Sequence, residues 1–276
     1  VEIGMGKRDR QRKLRESVFD GKTECIYCGN PADTIDHMPP KQFFPGKIRP
    51  KGMEYRCCST CNSATKGAEA VASFISKISM DDDYFDWGSP QGERQLHALV
   101  LNAPSTIIDL FGYPKEVYME NAYYAFTRFM IVELNRDNVA SHLDVFSAKL
   151  GLALFFEHTR TALPSDGAVF SFWMSNKEAA ARNAESMFNI LPGYSTIKNG
   201  KNTAESTFGY RYNTNGKSII ASMSYFNESL YIANVAFTSE FSQLEILLMD
   251  KFGHFGSASI LRKGELATYK RSGGGS

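Results

Sequence analysis

The chain has 276 residues, 43% of them hydrophobic, with a net charge of +1, which is enough to bury a sizeable core in one or two domains. No apolar run reads as long enough to span a membrane, and no apolar segment follows the basic start, so neither a membrane span nor a signal peptide is expected. All five cysteines fall between residues 25 and 61, a clustering that favours a metal over disulfides and implies a reducing, cytoplasmic setting.

Residues 1–4 and 272–276 read as appended segments. The basic run Lys7-Arg8-Asp9-Arg10-Gln11-Arg12-Lys13-Leu14-Arg15 reads as an arm or short helix, with Arg8, Arg10, Arg12 and Lys13 as candidate nucleic-acid contacts; the alternative is a solvated terminus. Two knuckles follow, Cys25-Ile26-Tyr27-Cys28 and Cys58-Ser59-Thr60-Cys61. Each CxxC turn presents two thiolates from one tight loop, and together they supply the four sulfurs of a closed, structural Zn²⁺ site. Cys57 lacks the knuckle spacing and reads as a buried strand residue. Between the knuckles lie Asp36-His37, and Asn62 follows the second at once. An oxygen, an imidazole and a second oxygen suit a Mg²⁺ or Mn²⁺ ion and a general base; Asn62 also suits a helix cap. Residues 1–66 carry 13 basic against 8 acidic side chains, so positive charge gathers beside this centre, as a phosphate backbone requires.

The run from Cys25-x2-Cys28 through Asp36-His37-Met38-Pro39-Pro40-Lys41 to Cys58-x2-Cys61-Asn62 and Lys66 resembles the zinc-stapled branch of the HNH (ββα-metal) endonucleases, which includes recombination endonuclease VII. The resemblance covers residues 22–70. It implies that Cys25, Cys28, Cys58 and Cys61 bind zinc, that His37 is the general base, and that Asp36 and Asn62 hold Mg²⁺. A β-hairpin would carry the Asp-His pair and a helix would carry Asn62. Many members have an Asn in the strand before the second knuckle, which orients the base; here that stretch reads Pro50-Lys51-Gly52-Met53-Glu54-Tyr55-Arg56. Lys41 and Lys66 are candidate phosphate contacts.

Composition changes near residue 80, where an acidic, turn-rich stretch reads as a linker, with Asp81 or Asp82 as candidate further ligands. Residues 91–163 read as helical. Apolar residues at three- and four-residue steps predict helices over 117–134 and 140–159, the second started by Ser141. From residue 164 the pattern mixes. It predicts a buried strand over 167–174, a helix over 177–187 capped by Ser175 or Asn176, strands over 205–212, 218–226 and 229–238, and a helix over 240–252. Asn215-Gly216 signals a hairpin. His97, His142, His158 and His254 lack ligand spacing and read as ordinary histidines.

The expected fold class is α+β, with a zinc-bound ββα-metal module over 5–80 and a larger domain over 91–271, helical to 163 and mixed with an antiparallel sheet thereafter. The expected function is a Mg²⁺- or Mn²⁺-dependent endonuclease cutting phosphodiester bonds in DNA, with RNA as the alternative substrate. Two other readings stand beside it. One is a non-catalytic zinc module that binds nucleic acid; the other is a nuclease effector, of phage defence or phage origin, controlled by a partner or ligand at the C-terminal domain, through which a homodimer or a regulatory partner is also expected.

Overall fold

The computed structural model describes residues 7–44, 49–78, 88–112, 115–120, 126–131, 134, 136–175, 178, 189–199, 202–227, 229–255 and 257–271. Helix α1 (Lys7–Phe19) precedes the first knuckle. Strand β1 (Thr34–His37) and strand β2 (Glu54–Cys57) pair antiparallel, with Asp36 opposite Tyr55 and His37 opposite Glu54. A 3-10 turn, Lys41–Phe43, lies between them. Helix α2 (Ser59–Ala64) leaves the second knuckle and α3 (Lys66–Ile75) follows. Nine of the ten residues of α3 are buried, because it is packed between α6 and α4 rather than lying on the surface.

Helix α4 (Pro90–Asn102) is capped by Ser89, whose side chain accepts the Gly92 N–H, with proline at its first position. Helix α5 (Thr106–Phe111) follows. The expected helix over 117–134 is corrected. The described backbone there forms an antiparallel pair, β3 (Lys115–Glu120) and β4 (Phe126–Ile131). Val117, Tyr118, Phe126, Thr127, Phe129 and Ile131 are β-branched or aromatic, and that composition prevails over a helix-like spacing of apolar residues. Of the expected linker over 80–90, residues 80–87, with Asp81 and Asp82, lie outside the described residues, while Ser89 and Pro90 open α4; the expected helix at 177–187 lies outside them except for Glu178.

Helix α6 (Asp137–Thr159) runs through the centre. It starts three residues before the expected 140, and Ser141 does not cap it; the Ser141 hydroxyl accepts the Arg271 N–H at 3.0 Å. By length and composition α6 is apolar enough to cross a membrane, which corrects the expectation that no run reaches that length, but 83% of its most apolar window is buried within the fold. Against it lies an antiparallel sheet of order β12-β5-β11-β10-β9-β6, built from β5 (Ala168–Ser175), β6 (Gly193–Ser195), β9 (Phe208–Asn215), β10 (Ile219–Phe226), β11 (Leu230–Phe237) and β12 (Ala258–Arg262). The short strands β7 (Lys198–Asn199) and β8 (Asn202–Thr203) form a separate pair. The expected strand over 167–174 and the three later ones appear within a few residues; β12 was not foreseen. The turn after Asn215 takes three residues, with Gly216 at φ +60°, a left-handed backbone that suits glycine.

Alternation along β5 divides the core. Val169 and Trp173 join the large cluster that includes α6 and the zinc knuckles, whereas Phe170, Phe172 and Met174 pack under helix α7 (Gln243–Phe252). Gly151 allows α6 to approach closely, since a Cβ there would meet Val169 Cγ1 at 2.5 Å. Phe43, from the turn between β1 and β2, lies 5.3 Å from Phe146 on α6 and 5.0 Å from Phe226 on β10, so the four-cysteine cluster and the sheet share one core.

Asp144, fully buried on α6, accepts hydrogen bonds from Trp173 Nε1 (2.9 Å), Tyr269 Oη (3.0 Å) and Arg271 Nε (3.1 Å). Burial pushes its carboxyl up to about 6, against the pull of Arg271 and the other donors. With the folded value above the unfolded one, folding takes up a proton, so this group's contribution grows as pH falls through 6 and levels off below 3.8. Asp144→Asn is expected to flatten the melting temperature against pH between 4 and 6; an unchanged slope would show that Asp144 does not titrate there.

Candidate metal centre and the hairpin beside it

The first knuckle closes as a tight turn, with the Gly29 N–H on Cys25 O at 2.9 Å and Gly29 at φ +84°. In the second, Cys58 is the N-cap of α2, and its Sγ accepts the Cys61 N–H at 3.4 Å. The Sγ atoms of Cys25, Cys28, Cys58 and Cys61 all lie within 4.8 Å of one another, and Cys28 and Cys58 are 3.6 Å apart. A tetrahedron with Zn–S bonds of about 2.3 Å has edges of about 3.8 Å, so the four thiols fit a structural zinc. Contact with the neighbouring cysteines draws the Cys25 thiol down and pushes Cys61 up, while burial pushes Cys28 up to about 11. A bound dication would favour the thiolate at all four sulfurs. Cys57 is the buried strand residue expected, its Sγ donating to Cys58 O at 3.3 Å.

His37 ends β1 with its Nδ1 buried, 3.8 Å from Glu54 Oε1 and without a hydrogen bond, while the side chain as a whole keeps 29% exposure. Glu54 is fixed from behind: Arg49 Nη1 lies 2.9 Å from its Oε1 and the Gly52 N–H donates to both oxygens at 3.0 and 3.1 Å. Against burial, the His37 imidazole, the Arg49 guanidinium and the Gly52 N–H hold the Glu54 carboxyl below the usual carboxylate range. Arg49 also donates to the carbonyl oxygens of Met38, Pro39, Pro50, Gly52 and Met53, tying the segment after His37 to the strand that carries Glu54. The expected Asn is absent from this strand, and Glu54 stands across the hairpin from the imidazole in its place.

Asp36 is buried with both oxygens engaged. Tyr27 Oη donates to Oδ2 at 2.6 Å and Lys149 Nζ to Oδ1 at 2.9 Å. The same ammonium reaches Glu69 Oε1 at 2.5 Å and Thr65 Oγ1 at 3.0 Å. Burial pushes Glu69 up, whereas the two carboxylates hold Lys149 above its ordinary value against burial. Asn62 is half-exposed on α2, its Nδ2 3.4 Å from Thr34 Oγ1. The Asp36–Asn62 set that the resemblance implies for Mg²⁺ or Mn²⁺ does not fit a divalent ion in this arrangement, because the Lys149 ammonium stands at Asp36.

Lys41 and Lys66 are exposed at the starts of the 3-10 turn and of α3. On α1, which also carries Arg10, the candidate contacts Arg8, Arg12 and Lys13 are exposed, and Arg12 lies near Asp9 (3.4 Å) and Glu16 (3.8 Å). Four residues that the sequence reading passed over shape the site: Arg49, Glu54, Glu69 and Lys149. Lys149 had a signal, being the one basic residue within the apolar run of α6, where a charge implies a buried partner. No protein-family model, no curated protein and no solved structure matches this chain.

Proposed function

We propose that the N-terminal module is an HNH-type endonuclease that hydrolyses phosphodiester bonds in DNA, with His37 as general base. The observation that carries this reading is His37 at the end of a hairpin next to a four-thiol cluster, with its Nδ1 facing an anchored Glu54. Zinc, when bound, supplies rigidity, joining the first knuckle to the start of α2. Glu54, held by Arg49, places a negative charge 3.8 Å from Nδ1; drawn into hydrogen-bond contact when substrate binds, it would keep the proton on Nδ1 and leave Nε2 to take a proton from the attacking water. The water oxygen bonds to phosphorus as the P–O3′ bond breaks, and the proton that His37 has taken up is returned, through solvent, to the departing 3′ oxygen. Lys41 and Lys66 offset the charge of the phosphate. Mg²⁺ or Mn²⁺ dependence rests on the family resemblance alone, because both Asp36 oxygens are engaged by Tyr27 and Lys149.

The test is cleavage of plasmid, linear, branched and single-stranded DNA and of RNA, with Mg²⁺, Mn²⁺ or EDTA. His37→Ala is expected to lose about 10²–10⁴-fold in rate with zinc content and melting temperature unchanged. Glu54→Gln is expected to lose about 10-fold or more, as partners that orient a histidine do. Full activity in His37→Ala would remove His37 as the base. A second reading, a nucleic-acid-binding zinc module without cleavage, is favoured by the Lys149 contact at Asp36. That protein would bind DNA equally in Mg²⁺ or EDTA and leave it intact.

A further inference from the structure

Helix α6 contributes one basic side chain to the interior, Lys149, and it is wholly inaccessible to solvent. Its ammonium meets three oxygens, those of Asp36, Thr65 and Glu69, and lies 5.3 Å from the centre of the Tyr27 ring. Two carboxylates and a hydroxyl are the neighbours that a hard divalent cation would choose. An ion entering here would have to shed its water, which Mg²⁺ does reluctantly, and expel a buried ammonium. We propose that Lys149 takes the place of a divalent ion between Asp36 and Glu69, so that this carboxylate pair clamps the zinc module to α6 and does not bind metal. The inference goes beyond the nuclease reading: it states where a catalytic ion is not held, whether or not the protein cuts DNA.

The experiment uses the zinc-loaded full chain, with Mn²⁺ as the probe and melting temperature and Mn²⁺ binding as readouts. Wild type is expected to show no saturable binding of Mn²⁺ at this place. Lys149→Ala leaves two buried carboxylates without a counter-charge and opens a cation-sized gap. It should melt about 10 °C lower and recover part of that loss in Mn²⁺. Should it fail to fold, Lys149→Met combined with Asp36→Asn and Glu69→Gln tests the same point. Removing the ammonium and both carboxylate charges together is expected to restore most of the melting temperature, with no response to Mn²⁺. Three results overturn the proposal: Mn²⁺ binding to wild type that Asp36→Asn abolishes, a Lys149→Met variant that melts with wild type, or a triple variant no more stable than Lys149→Met alone. None of these readouts involves cleavage, so a failed nuclease assay leaves them standing.

Discussion

Stripping zinc with a chelator is expected to unfold the region from the first knuckle through α2. Strands β1 and β2 have four residues each and α2 has six, too few to stand by backbone pairing alone. Cys25 and Cys28 lie on one segment and Cys58 and Cys61 on another, so a bound metal would bridge what the hairpin only weakly joins. Structural zinc in small modules binds with an apparent free energy of about 10–16 kcal/mol, and where the site does not preform, that energy is folding energy. Cys58→Ser should lose zinc stoichiometry and most of the module's stability. Cys57→Ser should keep the zinc and lose about 1–2 kcal/mol, the scale of one buried thiol contact. Metal content by mass spectrometry beside a thermal melt separates the two. A metal-free chain that melts with the zinc-loaded one would show the cluster to be dispensable.

Replacing Arg49 is the second large effect. The guanidinium is 2% exposed and reaches five carbonyl oxygens as well as Glu54. Burial draws its pKa down and the Glu54 charge offsets that. Arg49→Met takes the counter-charge from the half-buried Glu54 carboxylate and leaves several backbone acceptors unpaired, a loss of about 3–5 kcal/mol or roughly 10 °C in melting temperature. Arg49→Lys should fall nearly as far, since a single ammonium cannot reproduce a planar fork with donors on three nitrogens. If the protein cuts DNA, both variants should also lose rate, because the segment following His37 and the anchor of Glu54 are released together. A lysine variant at wild-type stability would show that the charge alone suffices.

What the sequence made legible was local. The knuckle spacing led to the four-thiol cluster, and period-two runs led to strands β9, β10 and β11. The hairpin β3–β4 was misread because aromatic and β-branched residues also recur at helical steps. Ser141 and Asp144 resembled a helix start, yet one holds Arg271 and the other holds Trp173, Tyr269 and Arg271; such long-range bonds leave no trace in spacing. Asp36 was read as a metal ligand for the same reason. Its partner Lys149 is 113 residues away, and only the folded chain shows the two together.

Phe43 has a consequence for the order in which the protein assembles. Its ring is flanked by Phe146 and Phe226, the second of which leaves the ribosome about 180 residues later. At synthesis rates of about 5–20 residues per second this is a wait of roughly 10–40 s. Lys149, 113 residues after Asp36, emerges before Phe226, so the carboxylate gains its counter-charge before the ring of Phe43 is fully covered. A metal held by the four thiols would be an early fastening, holding the hairpin in shape until the rest of the chain arrives to cover it.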